Sequence, residues 1–140
     1  MDATIPVESS VAEAMDFLAA PQSWASIIPD KTTVGTIVWD NDEHTQFTVD
    51  NICISDIEAA GNTLTYNVTT SGPVAVTFSV AYTFRQLGVR ETAGCHIRRR
   101  VFDYKQKDPL IDFKPTILQI LQKENANMEH LLRRRIRNKL

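Results

Sequence analysis

Glycine is scarce in this chain of 140 residues, and its five glycines, at 35, 61, 72, 88 and 94, each stand alone. A loop that cradles phosphates needs clustered glycines, so nucleotide chemistry is excluded. The three histidines, His44, His96 and His130, lie far apart, and the two cysteines, Cys53 and Cys95, are separated by 41 residues. Neither set has the spacing of a metal site, and two cysteines are too few for a disulfide framework. Buried, reduced thiols are the expectation. No G-x-S-x-G occurs to present a serine nucleophile. We therefore expect no metal and no cofactor.

Long apolar runs are missing too. None approaches the ~18 residues of a membrane span. The chain opens with Asp2 and reaches Pro6 at once, without the basic flank and apolar core of a secretory signal. A cytoplasmic protein is expected, in which the glycosylation-like Asn67-Val68-Thr69 is a chance match. Base is the last thing in short supply, but only in one half. Residues 1–84 hold eleven acids against Lys31 alone, whereas residues 85–140 hold fourteen bases against six acids. The sum is only −2, which makes no case for nucleic acid as a partner.

Apolar residues at 43% and charged residues at 23% are ordinary for a soluble globule, and the length fits one domain, residues 1–140. Ala3–Glu8 reads as a short extended run. Ser10-Val11-Ala12-Glu13 is a capping box, followed by Val11, Ala14, Met15 and Leu18 at helical spacing until Pro21. A second short helix, Gln22–Ile28, lies between Pro21 and Pro29. From Thr32 to Tyr104 the chain reads as strands: Thr33–Trp39, Thr45–Ile57 with a slip of phase near Asp50-Asn51, Thr63–Thr70, Val74–Phe84 and Ala93–Tyr104. In Val74–Phe84 large apolar residues alternate with small or polar ones, as in an antiparallel sheet covered on one face. Asp112 and Pro115 start a last helix, whose stripe of Ile117, Leu118, Leu121, Met128, Leu131, Leu132 and Ile136 runs to the basic end, Arg133–Lys139.

Strand, two short helices, five or six strands and one long helix, with Ile5-Pro6-Val7 leading into V-x-x-A-x-x-F-L-x-x-P-x-x-W over Val11–Trp24 and a closing Pro29, resembles the START-like or SRPBCC superfamily. Within it the chain looks most similar to the polyketide cyclase/dehydrases and to a class of carbon monoxide dehydrogenase subunits. The resemblance implies an α+β helix-grip fold: a curled antiparallel sheet of six to seven strands, two short helices and a long C-terminal helix enclosing a cavity. It implies an apolar or amphipathic small-molecule ligand in that cavity.

Phase nominates the lining. Phe78 and Tyr82 share the apolar face of their strand, Tyr66 that of its neighbour, and Arg99 falls in phase with Cys95, Ile97 and Val101. An inward Arg99 fixes a carboxylate, enolate or phenolate ligand through its planar fork, snorkels to water from near a sheet end, or pairs with a structural acid. Glu124 and Asn125 interrupt the apolar stripe of the long helix, and face either the cavity or solvent. Trp39 and Trp24 are expected in packing or at the rim, and Met128 in the wall. Aromatic cyclases of the superfamily use an Asn on the long helix with an Arg and a Tyr, which makes Arg99, Tyr82 and Asn125 the catalytic candidates. Three functions stay open: ligand binding, cyclase- or dehydratase-type catalysis, and docking through the basic helix end. A homodimer is also left open.

Overall fold

The computed structural model describes residues 1–27, 37–87, 94–108 and 110–139. Pro29, most of the Thr33–Trp39 run, Gly88 and the side chains of the basic end beyond Leu132 lie outside the described residues. Six strands and three helices follow in order: β1 (Asp2–Val7), α1 (Val11–Ala19), α2 (Pro21–Ile27), β2 (Phe47–Val49), β3 (Ile52–Ala60), β4 (Thr63–Thr70), β5 (Val76–Gln86), β6 (Cys95–Gln106) and α3 (Lys114–Lys139). The strands form one antiparallel sheet in the order β1-β6-β5-β4-β3-β2. It is curled and unclosed, and the helices cover its inner face. This is the helix-grip arrangement expected from the sequence.

Local chemistry explains the elements. The Ser10 hydroxyl accepts from the Glu13 amide at 3.2 Å and donates to the Glu13 carboxylate at 3.3 Å, so Ser10 caps α1 as read, while the Glu13 carboxylate meets the Ser10 hydroxyl. Pro21, read as the end of α1, is in addition the first residue of α2, where its missing N–H costs nothing. The Asp112 carboxylate accepts from the Lys114 amide at 3.1 Å at the start of α3. On α3 the stripe Ile117, Leu121, Met128 and Leu132 is buried, and the Asn127 amide donates to the Ile27 carbonyl at 2.9 Å, tying α3 to α2.

The slip near Asp50-Asn51 is a two-residue hairpin turn. Val49 pairs with Ile52, and Asp50 takes φ 52°, a conformation that Asp tolerates better than most residues. The run Thr45–Ile57 is thus two strands, and Trp39 contributes only an isolated bridge to Phe47. Two β-bulges, between Ser55 and Glu58 of β3 and opposite Thr77–Ser79 on β6, supply the curl. Each carries an aspartate at positive φ, Asp56 at 54° and Asp103 at 55°. The second bulge shifts the phase of β6, so Tyr104 is half-buried like Val101, although strict alternation would group it with the exposed Phe102.

The charge split has a partial answer here. Asp2 of β1 pairs with Arg100 of β6 in register, and its carboxylate bonds the neighbouring Arg98 at 2.6 Å. The Arg98 guanidinium holds the Asp2 carboxyl below its ordinary value. The acidic and basic halves meet along this pair of strands.

Candidate functional site

Arg99 lies on β6 between Ala3 of β1 and Tyr82 of β5. Strand alternation sends Cys95, Ile97 and Arg99 to the same inner face. With a strand on either side and α3 above, the long side chain has no route to solvent, and Arg99 is 1% exposed. Its Nη2 donates to Glu124 Oε1 at 2.8 Å and its Nη1 to Asn125 Oδ1 at 2.8 Å. Its guanidinium carbon stands 5.5 Å from the centroid of the Tyr82 ring, within cation–π range. The Tyr82 hydroxyl lies 3.0 Å from that of Tyr66. Five residues named from phase and type therefore form one buried cluster. Glu124, 7% exposed, faces the sheet and not solvent, which settles the alternative for that residue; Asn125 is half-buried beside it.

The electrostatics follow from burial. Burial opposes the charge on Arg99, but the oxygens of Tyr82, Glu124 and Tyr66 more than offset it, holding the guanidinium above its ordinary value. Burial also pushes the Tyr82 phenol well above its ordinary value, with Arg99 pulling the other way. Both groups hold their protons at neutral pH. A buried ion pair of this kind contributes little net stability while both partners are present, and costs much when one is removed.

Between the cluster and α3 lies a part-open cleft of about 90 Å³. Its walls are Trp24 of α2, Ile52, Tyr66, Val68 and Phe78 of the sheet, and Ile117, Ile120 and Leu121 of α3, with Arg99 and Glu124 at its polar end. Cofactor- and drug-sized sites span roughly 300–1,000 Å³, so apolar side chains fill most of the cavity that the resemblance implied. Of the expected lining residues, Tyr66, Phe78, Arg99 and Glu124 are in the wall. Tyr82 and Asn125 stand behind it, each touching Arg99. Met128 is fully buried in the core further along α3. Trp39 lies outside the cleft, stacked on His44 with centroids 4.9 Å apart and set edge-on to Phe47 at 5.7 Å.

Trp24, Ile52, Val68, Thr70 and the three α3 residues are the lining that sequence reasoning did not assign. The α3 residues gave a signal, since Ile117 and Leu121 lead the apolar stripe. Trp24 gave less, because packing and lining look alike in a short helix. Three buried side-chain donors have no hydrogen-bond partner among the described residues: Ser9 Oγ, Trp24 Nε1 and Arg99 Nε. Among the described residues no group of His, Cys, Asp or Glu is placed to hold a metal. Burial pushes the Cys95 thiol up to about 11, so this cysteine is an inert core residue. A wider groove of about 410 Å³ crosses the outer sheet face past Asp56 and Asp103, but both carboxylates there are exposed. No described helix is long and apolar enough to cross a membrane.

No family model matches the sequence, and no curated protein matches it. Solved structures do. The di-domain ARO/CYC protein BexL from the BE-7585A biosynthetic pathway is similar over 93% of this chain, with a TM-score of 0.67 and 15% identity. The match covers 45% of that structure, so this chain spans about half its length. Protein CV1439 from Chromobacterium violaceum matches over 95% of this chain and 96% of its own, at TM-score 0.61 and 10% identity. A protein from Rhizobium leguminosarum matches over 96% and 93%, at TM-score 0.59 and 10% identity. At these identities the likeness is one of fold, and that fold is the helix-grip one.

Proposed function

We propose that this helix-grip domain binds a small apolar or amphipathic molecule in the cleft between its sheet and α3, with the polar end of the molecule toward Arg99. One observation carries the reading: a fully buried arginine, braced by Glu124 and Asn125, lines a mainly apolar cleft. A fold seeking stability alone would place a hydrophobic residue there, since an apolar replacement of a buried ion pair is often neutral or stabilising. The cleft is small, but Ile120 at its edge is part-exposed, so a longer molecule can enter by one end.

Native mass spectrometry of the purified protein tests this. A co-purifying apolar molecule is expected on the wild-type chain and absent from the double variant Arg99→Met/Glu124→Leu, which removes the polar end while keeping the packing. Equal retention by both proteins would show that the molecule sits elsewhere.

A second reading is a cyclase- or dehydratase-type enzyme using the same cleft. It is favoured by the likeness to the ARO/CYC structure and by the convergence of Arg99, Tyr82 and Asn125. In such a reaction Arg99 would stabilise a developing enolate oxygen, Asn125 would orient Arg99, and Tyr82 would act through Tyr66 as proton donor. Turnover of a ketide analogue that survives Arg99→Ala in a folded protein would remove this reading.

A further inference from the structure

A second cleft, of about 280 Å³, lies on the other side of α3. Its apolar wall is Met1, Val101, Phe102 and Leu118, with Ile117 and Leu121, which it shares with the first cleft. Helix phase sets the arrangement. At ~100° per residue, Ile120 and Glu124 fall on one side of a ridge made by Ile117 and Leu121, and Lys114 and Leu118 fall on the other. The first pair lines the first cleft and the second pair lines the second. The sheet shows the same division. Arg99 borders the first cleft, and Val101, the next inward residue of β6, borders the second. These two positions are roughly 7 Å apart along the strand. The ridge between the clefts is therefore one row of side chains, Ile117 at 9% and Leu121 at 2% exposure. Asp103 and Lys114, both exposed, keep the second cleft open to solvent.

Size and anchoring decide what can occupy both clefts. The first holds about 90 Å³, whereas an apolar cavity of about 150 Å³ is what takes one benzene ring. With the second cleft added, the space passes the lower end of the roughly 300–1,000 Å³ of small-molecule sites. A ring could use that space only if α3 rose from the sheet. Glu124 and Asn125 tie α3 to Arg99, and Asn127 ties it to Ile27, so the helix is held down just beyond the ridge. A methylene chain needs less, because a change of rotamer at Ile117 or Leu121 opens a passage of its width. We propose that the two clefts form one site, that its ligand carries an unbranched chain passing beneath α3, and that Ile117 and Leu121 are specificity-determining residues that admit a chain and reject a ring. The proposal rests on the occupancy of the first cleft proposed above, and fixes the shape of the ligand's apolar part.

Three alcohols make the test: n-butanol, n-octanol, and cyclohexylethanol, which has the carbon count of octanol but closes most of it into a ring. Each is titrated into protein with isotope-labelled methyl groups while four residues are followed by nuclear magnetic resonance. Ile52 and Val68 report the first cleft, and Val101 and Leu118 the second. Butanol is expected to shift Ile52 and Val68, and octanol to shift all four. A fully buried methylene strengthens binding about fourfold, so octanol should bind at least about fiftyfold more tightly than butanol. Cyclohexylethanol should bind at least about tenfold more weakly than octanol. Val101→Phe, which fills the second cleft, should cut the advantage of octanol over butanol to about tenfold or less. Should that variant fail to fold, the wild-type shifts and affinities decide by themselves. An octanol advantage that survives Val101→Phe, octanol shifts confined to Ile52 and Val68, or cyclohexylethanol binding as tightly as octanol overturns the proposal and leaves the first cleft a binding site. Shifts confined to Val101 and Leu118, or no shift at any of the four, overturn the proposal and the occupancy of the first cleft together.

Discussion

Replacing Glu124 by leucine isolates the energetics of the buried cluster. The substitution keeps the volume on α3 and removes the carboxylate that meets Arg99 at 2.8 Å, where the two side chains are 9% and 2% exposed. Asn125 still accepts one hydrogen bond from the guanidinium, but the charge is left without a counter-ion between two packed layers. Breaking a buried pair in this way costs about 3–5 kcal/mol. For a domain with about 5–15 kcal/mol of total stability, that is a large share. At roughly 4 °C per kcal/mol for a chain of this size, Tm should fall by about 12–20 °C. Arg99→Met alone strands Glu124 and is expected to cost a similar amount. The double variant Arg99→Met/Glu124→Leu has no buried charge, and should return to within about 1 kcal/mol of wild type or exceed it. Urea unfolding followed by far-ultraviolet circular dichroism reads all four proteins, and a constant slope of stability against urea licenses the comparison. The coupling energy of the cycle should then be at least about 3 kcal/mol. A Glu124→Leu cost under about 1 kcal/mol, or a double variant no better than either single one, would refute the buried pair and the cleft chemistry built on it.

Other perturbations reach different parts of the molecule. Gly94 has φ +84°, and a Cβ there would lie 2.6 Å from the Val7 carbonyl oxygen, so Gly94→Ala should destabilise by at least about 2 kcal/mol in the same urea assay; a neutral result would mean that β1 sits further from this turn. The raised phenol of Tyr82 keeps its proton in the folded state when the unfolded chain would lose it. Above about pH 10 the folded state therefore binds more protons, and stability should fall as pH rises. Absorbance titration at alkaline pH should show the Tyr82 phenol ionising only with unfolding, and normal reversible ionisation of every tyrosine would count against its burial. Cys95, its thiol pushed up to about 11, should resist thiol reagents at pH 8 until the protein unfolds, whereas the half-buried Cys53 should react first; fast modification of both would contradict the packing of β6.

How far the sequence spoke depended on whether a local rule or a tertiary partner decided the outcome. Thr63–Thr70 forms a strand with the bounds read from its turns, and the alternation from Val76 to Phe84 is intact in the burial pattern. The strand begins at Val76, not Val74, because the Thr70 hydroxyl accepts from the Val76 amide at 3.0 Å and donates to the Val74 carbonyl. No periodicity encodes that side-chain clasp. The inward phase of Arg99 was legible from its apolar neighbours at every second position. Its partners were only half so, since Glu124 and Asn125 stand at the margin of the α3 stripe, where a small rotation of the helix decides between sheet and solvent. The phase change after Val101 was hidden, because a bulge at Asp103 depends on pairing with β5. Trp24 was visible as a large ring in a short helix, but the lack of a partner for its N–H is a property of the assembled layers.

The pairing of β1 with β6 sets the order in which the molecule can assemble. Each strand from β2 to β6 follows its neighbour in the sheet along the chain, so those pairs can close as each one emerges. β1 must instead find a strand some ninety residues away, with Val7 opposite Cys95. Closing a loop of that length costs roughly 4 kcal/mol in chain entropy before any contact offsets it. Until β6 exists, β1 has no edge to join and Arg99 has no layer to enter. During that wait the emerged chain is almost purely acidic, with eleven acids and one base up to residue 84. Its self-repulsion keeps unfinished copies apart, and the basic strand that ends the wait completes the sheet and brings Arg99 to it, before α3 closes the cleft over that face.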